Sequence, residues 1–138
     1  MLTIFALAIL SQDAGYYRVS ETPPAFIEAG SISVEGDVVS FVQVVMLPEN
    51  QADLPVAFEV DTQVNCATSV HRSTEIREVM LDNSTGRTQT ISRGWRERTD
   101  DVGGWFELVC NDRDGTGRVE GSRQDLIAPL VEARRSGR

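Results

Sequence analysis

The sequence has no lysine: all 13 of its strongly basic residues are arginine, and His71 is the only histidine. Arginine offers a rigid fork of donors suited to carboxylates, where lysine offers a point charge on a flexible stem. Against those arginines stand 21 acids, giving a net charge of −8. Such a chain repels a polyanion unless its basic groups cluster. The nearest approach to a cluster is the tail EARRSGR, Glu132 to Arg138, so nucleic acid is not an expected partner.

A transmembrane run is missing too. The N-terminal apolar stretch, Leu2 to Leu10, falls well short of the roughly 20 residues that span a bilayer. Its length suits the apolar region of a signal peptide, and residues 1–14 are expected to be such a leader. No Lys or Arg precedes the run, and Gln12 stands where a small residue is preferred before cleavage after Ala14. No cysteine follows it, so the expected protein is periplasmic or secreted and not lipid-anchored. Catalytic signatures are also absent: no Gly-rich phosphate loop, no G-x-S-x-G elbow and no H-E-x-x-H helix. No catalytic residue, metal site or cofactor is expected.

What is present is ordinary for one soluble domain: 138 residues, 41% apolar and 25% charged. The pattern is that of strands. Tyr16 to Glu21 reads as a short strand ended by Thr22-Pro23-Pro24, since adjacent prolines cannot sit inside a paired strand. A hairpin follows, with one strand near Ile27 to Val34, a turn at Glu35-Gly36-Asp37, and a second strand from Val38 to Leu47. That second strand is apolar on both faces, which predicts a central position covered on both sides. Pro48 to Pro55 reads as a polar loop.

VAFEVDTQVNC, Val56 to Cys66, alternates strictly. Val56, Phe58, Val60, Thr62, Val64 and Cys66 share one face, and Ala57, Glu59, Asp61, Gln63 and Asn65 share the other, predicting a strand with one wet side. Arg72 to Ser92 reads as a second hairpin about a turn at Asn83 to Gly86. A short helical turn is expected near Cys110, then a loop at Asn111 to Gly117. The last segment opens on a capping-type pair, Ser122 and Asp125, followed by an apolar stripe of Leu126, Ile127, Leu130 and Val131. Pro129 within that stripe would cost a helix interior roughly 3 kcal/mol, so a short helix is expected there.

Few residues could carry chemistry. Cys66 and Cys110, 44 residues apart, could be a disulfide, two separate buried thiols, or part of a metal or catalytic site. Export through the leader would favour oxidation. Together with His71 they make three zinc ligands, where about four are needed. A Cys66–His71 nucleophilic pair would need the imidazole beside the sulfur, and five residues along a strand set the two on opposite faces. Asp112 to Gly117 faintly resembles a calcium loop, but such loops need more oxygen ligands in order and a closing glutamate, and Glu120 comes too early for that role. Trp95 and Trp105 are expected in the core.

The order of these features resembles a known family. A Tyr-rich first strand leads to GSISVEGDVVSF, then to VDTQVNC with HR soon after, a hairpin, Trp95, and a cysteine near the end. From about Tyr16 to Cys110 this is similar to the surface-adhesin protein E family of small exported bacterial proteins. The resemblance implies an antiparallel sheet with a C-terminal helix, and a disulfide from Cys66 to Cys110. It also implies attachment to host matrix proteins, as in pathogen members, although no binding motif matches residue by residue.

The expectation is therefore a mainly β (α+β) single domain. An antiparallel sheet of five to seven strands spans 15–117, with a C-terminal helix and tail over 118–138. The expected function is a non-enzymatic exported binding or structural module. Its partner would be a protein, and a homodimer could form through a sheet edge. The alternative is a small-ligand-binding protein or enzyme with a pocket near His71 and Arg72, lined by nearby acids.

Overall fold

The computed structural model describes residues 15–21, 23–47, 54–99, 103–111 and 118–136. The expected leader, most of the Pro48–Pro55 loop and the Asp112–Gly117 loop lie outside them.

The described strands form one antiparallel sheet. They are β1 (Tyr16–Glu21), β2 (Pro24–Glu28), β3 (Ser33–Glu35), β4 (Val38–Met46), β5 (Ala57–Asn65), β6 (Val70–Val79), β7 (Thr85–Thr90), β8 (Arg96–Glu97) and β9 (Arg118–Val119). Six of them have five residues or more, within the expected five to seven. β3, β8 and β9 are ladders of two or three residues, too short to leave a period-2 signal. The order across the sheet is β7-β6-β5-β4-β2-β1-β9, with β3 on β4 and β8 on β6. β4 is thus the middle strand, as its two apolar faces require. β9 pairs with Tyr16 and Tyr17 of β1, so the chain returns to the sheet before its last helix.

The single strand expected from Ile27 to Val34 is instead two. β2 pairs with the far half of β4, β3 with its near half, and a 3₁₀ turn at Ala29–Ser31 separates them. Ser31 explains why the break is tolerated. Its Oγ donates to the Glu28 carbonyl at 2.7 Å and accepts from the Val42 N–H at 2.8 Å, replacing a missing ladder bond. Pro24 opens β2, and Pro23 lies in the turn before it, where neither must donate to a central ladder.

Alternate residues of the sheet serve two cores. On one face Tyr17, Ile27, Val39, Phe41 and Val64 pack beneath a short helix, Gly103–Phe106, which continues as a wider π-type turn, Glu107–Asn111. That segment inserts Phe106, Leu108 and Val109. Its approach is close: a Cβ added at Gly104 would stand 2.8 Å from the Val19 carbonyl oxygen. Cys66, just past the end of β5, is bonded to Cys110 in the π-type turn, with the Cα atoms 5.7 Å apart. The bond staples this covering segment to the sheet.

On the other face Tyr16, Phe26, Val44, Met46, Ala57 and Val79 pack beneath the C-terminal helix, Arg123–Arg135. Ser122 caps it with the expected capping box: its side chain accepts from the Asp125 N–H, and Asp125 accepts from the Ser122 N–H at 2.9 Å. The Ser122 N–H, and then the Ser122 hydroxyl, donate to the Asp125 carboxylate and hold it below its ordinary pKa. Ile127, 1% exposed, is the helix's anchor, and burying such a side chain contributes about 2–3 kcal/mol. Pro129 lies inside this 13-residue helix, and burial of the apolar stripe offsets its cost.

Arg134, at the helix C-terminus, is buried. Its guanidinium donates to the Leu47 carbonyl at 2.6 Å and the Leu54 carbonyl at 2.7 Å, at either end of the β4–β5 connection. The helix thereby fixes the two chain ends of that connection. Arg134→Ala removes two charge-assisted bonds and is expected to cost about 2 kcal/mol in urea denaturation. Arg135→Ala, its exposed neighbour, is expected to stay within about 0.5 kcal/mol of the parent.

Candidate functional site

The disulfide and its surroundings build one end of the sheet. β5 ends at Asn65, whose Oδ1 accepts from the N–H groups of Ala67 and Thr68 and so closes a tight turn into β6. The turn sets Val64 opposite His71 in the ladder. His71 therefore lies on the neighbouring strand from Cys66, which is oxidised; no described cysteine is free. The His71 ring meets the Trp105 ring edge-on at 5.5 Å and the Phe106 ring at 6.4 Å. It is half-buried against the covering helix, in place of a catalytic contact with sulfur.

Beyond β7 the chain doubles back. The Ile91 N–H donates to the Thr74 carbonyl at 2.9 Å, and the Arg98 N–H to the Ser69 carbonyl at 3.0 Å. Between these anchors β8 sets Arg96 opposite His71. The result is an open groove of about 570 Å³, lined by β6, β7 and the return segment. Its lining includes His71, Arg72, Ile76, Ile91, Arg93 and Arg96. This places His71 and Arg72 at a concavity, as the alternative reading expected. The acids of that reading are not part of it; the lining carries arginines instead.

Trp95 is also displaced from expectation. It is 39% exposed and stacks under the Arg72 guanidinium at 4.4 Å, because the return segment lies over the sheet edge and outside either core. Trp105 is the packed tryptophan, edge-on to Phe41 at 6.1 Å. Arg72 is held on a second side by its Nε, which donates to Gln63 Oε1 at 2.8 Å.

A second polar constellation occupies the face beneath the C-terminal helix. Arg77 meets Asp61 through both terminal nitrogens (2.6 and 3.0 Å), Glu75 at 2.6 Å and Glu59 at 3.4 Å. Arg123 bonds Glu59 from the helix at 3.1 Å and Asn83 Oδ1 at 2.7 Å. Tyr16 hydrogen-bonds to Glu28 beside them. Burial, then the charges of Glu28 and Glu59, push the Tyr16 phenol up to about 12. Burial and the charge of Glu59 raise Glu28 above the usual glutamate range, while the Tyr16 bond and Arg123 pull it back. The hydrogen bonds it donates to Asp61 above all keep Arg77 charged. This network knits β1, β2, β5, β6 and the last helix together. Among the described residues no group of three His, Cys, Asp or Glu is arranged to hold a metal ion, and no helix is long and apolar enough to cross a membrane. The calcium-like Asp112–Gly117 lies outside the described residues.

No family model matches the chain, and no curated protein does. Among solved structures it is similar to protein E from non-typeable Haemophilus influenzae. The match has a TM-score of 0.55 and 17% identity, and covers 86% of this chain and 88% of the other. The two share a fold. The expected resemblance is met at that level: a mostly antiparallel sheet with a C-terminal helix.

The arginine groove was the principal feature that sequence reasoning missed. Arg72, Arg93 and Arg96 are spread over 25 residues with a hairpin between them, and only the return of β8 onto β6 unites them. Trp95 beside Arg93 and Arg96, in RGWRER, was the available signal. An aromatic flanked by arginines suits stacking at a surface more than a core.

Proposed function

We propose that this chain is an exported, non-enzymatic binding or structural module of the bacterial cell envelope, periplasmic or secreted, that engages a protein partner. The Cys66–Cys110 disulfide carries the reading. Structural disulfides persist outside the reducing cytosol, and this one fixes the segment covering the sheet. The shared fold with protein E and the sequence resemblance to the surface-adhesin family support a binding role. The His71 ring against Trp105 and Phe106 supports a structural role for that histidine.

The natural contact is the open edge. All six residues of β7 are exposed, so the strand offers unpaired ladder groups along one side. A second copy can add there edge to edge, and the proposed assembly is a homodimer. Two measurements test these readings. Tagged chain recovered from the native envelope is expected to be oxidised and to bring down a partner protein. Recovery in the cytosol with two reactive thiols would overturn the export reading. Light scattering of the purified chain is expected to show a dimer at high concentration, and a strict monomer would remove the edge-to-edge assembly.

A further inference from the structure

We infer that the groove on β6 and β7 is a binding site for a phosphate-type dianion carried on a small organic body. The inference rests on how the arginines are spent. Arg18, Arg77, Arg87, Arg98, Arg118 and Arg123 each face a carboxylate. Arg134 faces backbone carbonyls. The remaining arginines among the described residues, for which neither an acid nor a carbonyl partner is described, are Arg72, Arg93, Arg96 and the helix-terminal Arg135. Three of those four line one groove, and no acid lines it with them. In a chain with 21 acids and 13 arginines, acids are in excess for every arginine. A concavity that gathers three and admits no acid is suited to an anion from outside.

One of the three donors is also preorganised. Arg72 is clamped between the Trp95 ring and Gln63 through its Nε, and no described hydrogen bond uses its terminal nitrogens. A held guanidinium loses little freedom when it meets an oxyanion, which is where binding costs are usually incurred. The chain's overall negative charge opposes this only weakly at close range, because physiological salt screens charges beyond about 8 Å. Three forks supply more donors than one carboxylate can accept, while a phosphate monoester presents three terminal oxygens. Ile76 and Ile91 give the groove an apolar flank for the rest of the molecule, and about 570 Å³ is the size of a small-ligand site.

The test is titration of the whole oxidised chain, at about 0.15 M salt, with glycerol 3-phosphate. Phosphatidic acid vesicles form a second arm and malonate a third. Saturable binding of the soluble ester is expected, with a Kd on the order of 1 mM or tighter. Arg93→Gln with Arg96→Gln should weaken it about tenfold or more and leave the thermal midpoint unchanged, since both side chains are exposed and unpartnered among the described residues. Arg87→Gln, at β7 but outside the groove lining, should change nothing. Binding to the vesicles alone, abolished by the same double variant, would also support the site and place the phosphate on a lipid headgroup. Malonate binding as tightly as the ester would overturn the phosphate assignment. Absence of saturable binding in every arm, or a double variant that binds like the parent, would overturn the site.

Discussion

Cys66→Ala with Cys110→Ala is expected to lower the thermal midpoint by about 10–15 °C. The estimate follows from loop length. The bond closes a loop of 44 residues, and the chain-entropy model gives about 4 kcal/mol for a loop of that size, as an upper figure. Each kcal/mol moves the midpoint of a domain this large by roughly 3–5 °C. Local structure argues that the loss will not be confined to the unfolded chain. Phe106, Leu108 and Val109 are buried, and they hold the segment Gly103–Asn111 on the sheet together with the sulfur bridge. Without the bridge that segment should open below the global transition. Amide exchange in Phe106–Cys110 is then expected to quicken more than exchange in β4. A midpoint within about 3 °C of the parent would mean that apolar packing alone holds the segment. The variant also reports on the groove, because Trp105 and Phe106 brace the His71 ring.

Much of this architecture is legible in the residues, for a physical reason. A strand that is apolar on both faces has only one place to go, and Val38–Met46 goes there: Val39 and Phe41 enter one core, Val44 and Met46 the other. The capping pair at Ser122 and Asp125 marks the start of the last helix because it satisfies local donors and needs no partner elsewhere. The alternation of Val56–Cys66 sets the register of β5 but misleads about its surroundings. Its supposedly wet face carries Ala57, fully buried under the helix, and Glu59, only 13% exposed in an ion network. Periodicity reports which residues share a face. It does not report what arrives to cover that face from 60 or more residues away, as Arg123 does for Glu59.

The same distinction explains the groove and the broken hairpin. Ser31 between β2 and β3 looks like any turn serine; its role depends on Val42, eleven residues on, presenting an N–H to it. Trp95 looks like core by composition. Its exposure follows from where β8 docks, and a two-residue ladder has no pattern to read. Pairings that cross the sheet are set by topology, so the chemistry that rests on them appears only once the strands are laid side by side.

Arg77→Met is expected to cost about 3 kcal/mol at pH 7, and the cost should shrink in mild acid. Methionine keeps an aliphatic stem of similar reach, so the experiment isolates the fork. In the parent that fork joins Asp61, Glu75 and Glu59 at one place, with its own side chain 20% exposed. Removing it leaves three carboxylates facing one another, of which Arg123 bonds Glu59 alone. Breaking one side of such a part-buried network is far more costly than the network's net worth, because the remaining charges stay desolvated and unopposed. Acid neutralises carboxylates and relieves that repulsion, so the deficit should be smaller at pH 4–5 than at pH 7. Glu28 works in the same direction in parent and variant. Its carboxyl is held above the ordinary range, so the folded chain keeps a proton that the unfolded chain has lost. Its contribution is fully present below the unfolded value and is lost as pH rises through the folded one. At the opposite end, Tyr16 at about 12 against 10 when unfolded means that stability falls as pH climbs between those values. Urea denaturation of parent and Arg77→Met at pH 4.5 and pH 7 separates the causes. A deficit that is equal at both would mean that repulsion among the three carboxylates has no part in the loss.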